Sequence, residues 1–303
     1  TLHYAAHHLL AASAAGAVYT LHAQSLLIWS TQKLCGRHRS LQCYFRPLTH
    51  CQPPTVVEGK RSGLFEMNGE LEAEALRLGK GGIRDDFSLD SFQTLGSVWA
   101  LAHALRFIWQ PQPWLQRVVD RARGEVRTRG AAGGLMLGMH VRHGDACTSG
   151  RQCYPWAQYR REALRMTERY GVTHILLATD SPEIVKECLA DRSFVCRSTD
   201  HNRSSLATMS NGINAPPNGR PKRQPKSRNY IENRIIKGEL DGGELAVAAL
   251  VDLSLLGECD MFIGTFSSSF SRVAFLLMHA RHERPVPFIS LDTAWGRADG
   301  GII

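Results

Sequence analysis

The 303-residue sequence has no apolar run long enough to cross a bilayer, because its best stretch, residues 9–29, is broken by Ser13, His22, Gln24 and Ser25. It also lacks any Gly-x-Gly-x-x-Gly or Walker A string, which leaves a dinucleotide cofactor or ATP hydrolysis without support. No internal repeat is present. Cys35, Cys43 and Cys51 have no His at zinc-finger spacing. The chain opens at Thr1 with neither Met nor signal peptide, and the expectation is a processed or partial chain whose targeting segment lies elsewhere.

What is present suits a folded protein. Apolar residues make up 43% against 21% charged, with 27 Gly and 13 Pro spread along the chain, a balance that excludes wholesale disorder, collagen and a long coiled coil. The formal charge of +8 is partly local: Arg220, Lys222, Arg223, Lys226 and Arg228 lie among prolines, and without them about +3 remains. No aromatic residues interleave with these charges, so they read as a solvated insertion and not as a nucleic-acid surface. The eight cysteines include two close pairs, Cys147/Cys153 and Cys188/Cys196, each flanking a short polar stretch. Disulfides and a secretory setting are expected, and the sequon Asn202-Arg203-Ser204 is compatible with that setting.

From residue 135 onward apolar runs of strand length alternate with amphipathic helices, the pattern of a parallel α/β sheet. Four strands are expected, over 135–141, 173–179, 261–265 and 286–290, ending in Arg142, Asp180, Ser267 and Asp292. Trp156, Tyr159, Ala163, Met166 and Tyr170 recur at three-and-four spacing, and Ser181-Pro182 reads as an N-cap with a first-turn proline. This half is Rossmann-like, and in such sheets ligands bind beyond the carboxyl ends of the strands. The first part is less regular: a helix over 2–18, a strand over 25–29, a Cys-rich stretch, then two helices separated by Pro111-Gln112-Pro113-Trp114. Gly130, Gly133 and Gly134 mark a hinge, giving an N-terminal α/β domain over 1–130 and a Rossmann-like domain over 131–303 with a polar and basic insertion at 198–243.

Three strings carry chemistry. His140-Val141-Arg142-His143-Gly144-Asp145 places a guanidinium fork at a strand end, suited to a phosphate, with Asp145 to orient it or take a proton. Its Arg-His-Gly also matches the signature of histidine phosphatases, in which His143 would carry the phosphoryl group. A salt-bridged strand end is the third reading. Thr265-Phe266-Ser267-Ser268-Ser269-Phe270-Ser271-Arg272 opens a helix with hydroxyls and free amides, suited to a diphosphate, though serine caps are common at helix starts. Asp252 stands alone in the apolar run 245–256 and needs a partner: an Arg, a hydroxyl or a ligand. Asp85, Asp86 and Asp90 follow no apolar strand and make a poor metal motif.

Taken together, these strings resemble the α-1,6-fucosyltransferase family, enzymes that move L-fucose from GDP-fucose to the core of N-glycans, with bacterial nodulation relatives. Residues 107–115, ending Pro111-Gln112-Pro113-Trp114-Leu115, are similar to one family run, and His140-Val141-Arg142 with Asp145 to another. Leu177-Ala178-Thr179-Asp180, Thr265-Phe266-Ser267-Ser268 with Arg272, and Ser290-Leu291-Asp292 follow in family order; Phe45-Arg46-Pro47 is a fainter echo. The resemblance implies a two-domain, modified GT-B-like glycosyltransferase. Its C-terminal domain would hold the nucleotide and its N-terminal domain would face the acceptor.

By the same resemblance the reaction is one inverting displacement with GDP-fucose as donor, a glycan or glycoprotein as acceptor, and no cofactor or metal. Donor binding falls to His140, Arg142, His143, Asp180, Asp252, Thr265, Phe266, Ser267, Ser268, Ser269 and Arg272, and catalysis to Arg142 and Asp145. The implied location is the Golgi lumen, without nucleic acid as partner.

The chain departs from the family pattern in several places. Its carboxylate base falls at Gly150, its second arginine at His143, and the cysteines flanking its Thr-Phe-Ser-Ser string at Gly264 and Ser271. Cys147 and Cys153 enter the loop instead, leaving Asp145 or an insertion residue such as Glu232 as candidate base. A catalytically silent GDP-sugar or glycan-binding module is the non-enzymatic alternative.

Overall fold

The computed structural model describes residues 2–14, 19, 28–37, 39–51, 96–128, 134–148, 152–201 and 231–295. The chain forms two compact units, one running to Gln116 and resuming at Ala294, the other from Arg117 to Thr293. The glycine hinge expected at 130–134 lies almost wholly outside the described residues.

In the first unit α1 (Leu2–Ala14) packs on α3 (Gly96–Ile108), burying Ala5, Ala6 and Leu10 on one helix and Leu101, Ala102, Leu105 and Ile108 on the other. Such apolar faces, at about 2 kcal/mol for each large side chain, hold helices whose own propensity is marginal. Between them come a short α2 (Gln32–Cys35) and a 3-10 turn at Leu41–Cys43, joined by the Cys35–Cys43 disulfide. The run after α3 has a structural task. Gln112 donates to the carbonyls of Gln42 (3.0 Å) and Phe45 (3.2 Å), the Trp114 indole N–H donates to Cys43 O (3.0 Å), and Phe45 bridges to Pro111. Two strings far apart in sequence are thus one clamp. The expected strand at 25–29 is corrected in its described part: Ile28 and Trp29 form a turn, held where the Tyr44 hydroxyl donates to the Trp29 carbonyl. Residues 15–18 and 25–27 lie outside the described residues.

The second unit begins within α4 (Pro113–Thr128) and is α/β. Its elements are β1 (Met136–Val141), α5 (Gly144–Thr148), α6 (Trp156–Tyr170), β2 (His174–Thr179), α7 (Pro182–Ala190), β3 (Val195–Ser198), α8 (Ile231–Ile236), α9 (Gly242–Leu256), β4 (Met261–Gly264), α10 (Ser269–His282) and β5 (Phe288–Ser290). The five strands are all parallel, in the order β3-β2-β1-β4-β5. β1, β2 and β4 are mostly apolar, His140 apart, because helices cover both faces of a parallel sheet. Their core includes Leu137, Met139, Val141, Ile175, Leu177 and Ile263, packed with Trp156, Tyr159, Ala163 and Met166 from the expected face of α6. Ser181 caps α7, its hydroxyl accepting from Ile184 N–H (3.4 Å), with Pro182 in the first turn as expected.

Two expectations are revised. A strand not expected, β3, ends at Ser198, where the stretch taken for an insertion begins, and its Arg197 is buried at 6% exposure. The guanidinium donates to Val126 O (2.6 Å) in the last turn of α4, so the charge sits at a helix's negative end. The same stretch also holds α8 and the start of α9, capped by Asp241, which accepts from the N–H groups of Gly243 (2.8 Å) and Glu244 (3.1 Å). β5 is shorter than expected, beginning after Pro287, which has no N–H to give a ladder. Among the described residues no helix is long and apolar enough to cross a membrane.

Candidate functional site

The strand order reverses between β1 and β4: from β1 the chain builds outward through β2 to β3, then returns to β4 and β5 on the other side. At such a switch the loops leaving adjacent strands diverge and open a crevice at the carboxyl edge. The two loops here are the ones the sequence singled out, 142–144 after β1 and 265–268 after β4.

On the β1 side Arg142 follows the last strand residue and its guanidinium is ion-paired with Asp180, which follows β2. The other Asp180 oxygen accepts the His143 backbone N–H at 2.8 Å. One carboxylate therefore fixes both the backbone and the side chain of the turn. Gly144 has φ 45°, and a Cβ there would stand 2.6 Å from Asp180 Oδ2, so both its conformation and its space require glycine. The His143 ring is buried, and its Nε2–H donates to Tyr154 O at 2.9 Å.

On the β4 side Ser268 is the N-cap of α10 and makes no side-chain cap bond, so the first-turn amides of a 14-residue helix face outward with the positive end of its dipole. The loop before it is braced: Phe266 N–H donates to Ser290 Oγ (3.1 Å), Ser267 N–H to Asp292 Oδ2 (3.3 Å), and Arg272 Nε to Phe266 O. Arg272 thus supports the loop from behind. Thr265 and Ser268 are buried and Ser267 is exposed.

His140 joins the two sides. Its Nδ1 lies 2.7 Å from Ser271 Oγ, which also accepts Thr265 N–H at 3.3 Å, and its ring stacks on Phe270 with centroids 4.4 Å apart. Burial, and then the neighbouring Arg142 charge, hold its pKa down to about 3. The neutral ring with its proton on Nε2 satisfies the Ser271 and Thr265 bonds together. Ser271 and Gly264, the two positions where the family's cysteines would fall, are neighbours: a Cβ on Gly264 would lie 2.9 Å from Ser271 Oγ.

The depressed pKa sets a sign. Unfolded His140 takes up a proton near pH 6.5 and folded His140 does not until about pH 3, so between these values the unfolded state binds more protons. The stability it contributes is whole above pH 6.5 and is lost as pH falls toward 3, at up to about 1.4 kcal/mol per pH unit. Urea midpoints from pH 7.5 to 4.5 are expected to fall less steeply for His140→Gln than for the wild type; parallel slopes would contradict a neutral buried ring.

The remaining residues divide as follows. Asp252, 9% exposed on α9, accepts from the Thr199 hydroxyl and lies 3.2 Å from His201 Nε2. Its partner is thus a hydroxyl and an imidazole at the end of β3, two strands from β1. Beside these partners is a cavity of ≈ 170 Å³ lined by Thr199, His201 and, from α4, Arg121 and Glu125. Asp145 lies in α5, but its side chain is outside the described residues, as are Gly150 and the triplet Asp85, Asp86 and Asp90. Glu232 is exposed on α8. Cys147–Cys153 and Cys188–Cys196 are disulfides, as their spacing led one to expect, while Cys51 and Cys259 are free.

Sequence reading missed Tyr154, whose carbonyl holds His143, and Tyr159. The buried Tyr159 phenol is hydrogen-bonded with Thr265, and burial, with the nearby Asp292 charge, raises its pKa. Only its place on the apolar face of α6 was visible, and that marks any core tyrosine.

The fold defines an α/β unit of Rossmann-like topology, with an ion-paired guanidinium at the end of β1 and a helix start without a side-chain cap after the neighbouring β4. No family model matches the chain. Among solved structures it is similar to the fucosyltransferase NodZ from Bradyrhizobium, at 18% identity and TM-score 0.33 over 62% of this chain and 49% of that one. NodZ α-1,6-fucosyltransferase soaked with GDP-fucose gives 19% and 0.34 over 58% and 47%. POFUT1 in complex with GDP gives 12% and 0.37 over 63% and 50%. The chain spans about half the length of the solved structures it matches.

Proposed function

We propose that this chain binds GDP-fucose in the crevice between β1 and β4 and transfers L-fucose to a glycan, by the α-1,6 type of reaction toward the N-glycan core, without a metal. The observation that carries the reading is the pairing of Arg142, locked by Asp180, with the open start of α10 across the strand-order reversal. Such a pair is suited to the two phosphates of a diphosphate, one on the fork and one on the amides. The family resemblance of these strings supplies the donor and the acceptor class.

In the reaction the bond from the fucose anomeric carbon to the phosphate oxygen breaks as an acceptor hydroxyl oxygen bonds to that carbon from the opposite face. The acceptor's proton passes to a base, for which Asp145 is the first candidate and Glu232 the second. Arg142 and the α10 amides stabilise charge that grows on the departing GDP, and being fixed beforehand they need little rearrangement. His140 and Asp252 are assigned to donor positioning. The three disulfides suit an oxidising compartment, and we place the protein in the secretory pathway, in the Golgi lumen.

The phosphatase alternative fares worse, because the His143 ring is buried and its Nε2 is engaged with Tyr154 O, whereas a phosphoryl acceptor must present a nitrogen. A silent binding module would take up GDP without turnover. The test is incubation of the purified chain with GDP-fucose and a core N-glycopeptide in EDTA, read by mass spectrometry. A gain of one deoxyhexose with release of GDP is expected; GDP binding without transfer would overturn the enzymatic reading.

A further inference from the structure

The turn that carries Arg142 is closed on itself more tightly than a strand end requires. α5 begins at the residue after His143, with Ala146 N–H donating to His143 O at 3.0 Å, and Cys147 lies in this helix. Its disulfide partner Cys153 has a Cα 5.5 Å away and directly precedes Tyr154, whose carbonyl accepts the His143 ring N–H at 2.9 Å. His143 in turn gives its backbone N–H to Asp180, the carboxylate paired with Arg142. A covalent bond and three hydrogen-bonded contacts thus form a continuous chain from the Cys147–Cys153 bridge to the guanidinium.

We propose that the Cys147–Cys153 disulfide and His143 form a brace that sets the Arg142 guanidinium for the donor's diphosphate, with His143 as a positioning residue. The disulfide holds the Tyr154 carbonyl at a fixed place relative to α5. That carbonyl holds the His143 ring, and the fixed ring keeps the His143 amide aimed at Asp180. An arginine with a freely turning side chain loses more conformational entropy on binding than one already held, so the brace acts mainly on donor affinity. The inference rests on the donor reading above.

Four forms are compared: wild type, the double variant Cys147→Ser/Cys153→Ser, His143→Leu, and His143→Gln, which keeps an N–H donor for the Tyr154 carbonyl. Calorimetric titration with GDP is expected to show about tenfold weaker binding for the double variant and for His143→Leu, about 1.4 kcal/mol. His143→Gln is expected to stay within about threefold of wild type. In the transfer assay the KM for GDP-fucose rises in parallel while kcat changes by less than about twofold. Nitrogen-15 histidine spectra are expected to show one Nε2–H that is absent in His143→Gln, protected from solvent in wild type and exchanging faster in the double variant.

Equal GDP affinity in all four forms, or an equal loss in His143→Gln and His143→Leu, would overturn the brace. Should the double variant fail to fold, the His143 pair decides. Should the wild type bind no GDP, the donor reading falls alone, and the exchange measurement still decides for the brace: unchanged protection in the double variant overturns it.

Discussion

Arg142→Ala is expected to lower kcat/KM for fucosyl transfer by about a thousandfold, near 4 kcal/mol of transition-state stabilisation. The guanidinium is the one charged donor that follows β1 directly, at the edge where the strand order reverses. It is about one-quarter exposed, so it is dry enough for its charge to count and open enough to reach a ligand. Much of the loss belongs in kcat, because charge on the leaving diphosphate grows as the glycosidic bond breaks. Arg142→Lys keeps the charge but loses the planar fork, and a fall of about ten- to a hundredfold is expected. Arg142→Ala also takes from Asp180 its cation, so kinetics are read only after the melting transition confirms folding. Steady-state rates with GDP-fucose check this; Arg142→Ala within about tenfold of wild type would remove Arg142 from the mechanism.

Asp180→Ala is expected to destabilise the second unit by about 2–3 kcal/mol and to weaken donor binding with it. Its carboxylate is nearly buried and serves two donors, the Arg142 guanidinium and the His143 amide. Removing it takes a partner from an amide and from a partly buried charge together. Arg142 keeps partial access to water, which holds the cost below that of a fully buried broken pair. For a domain of this size the shift in melting temperature is about 5 °C or more. Asp180→Asn retains an acceptor for the His143 N–H and is expected to recover part of the loss. Unfolding of Asp180→Ala at the wild-type temperature would show that the carboxylate does not organise the turn.

The strands at the middle of the sheet were legible because burial on both faces leaves a plain apolar run, as in Leu176, Leu177 and Ala178. β3 was not, since an exposed Val195 and a buried arginine, whose Nη1 donates to a carbonyl of α4, break that pattern. The site was read from residue chemistry at strand ends, and the structure gathers most of it: His140, Arg142, His143 and Asp180 on one side, Thr265 to Arg272 on the other. What escaped reading were partners that are backbone atoms. The Tyr154 carbonyl that holds His143 and the Phe266 carbonyl that turns Arg272 inward have no signature in a sequence. Asp252 was recognised as needing a partner, yet Thr199 and His201 lie about fifty residues away and on a different element, and only the fold joins them.

The central claim is that the edge between β1 and α10 is a diphosphate site, and calorimetric titration of the purified wild-type chain with GDP, in EDTA, tests it most directly. A single saturable site of micromolar order is predicted, lost in Arg142→Ala and weakened for GMP, which lacks the second phosphate. GDP and GMP binding equally, or GDP binding undiminished in Arg142→Ala, would contradict it.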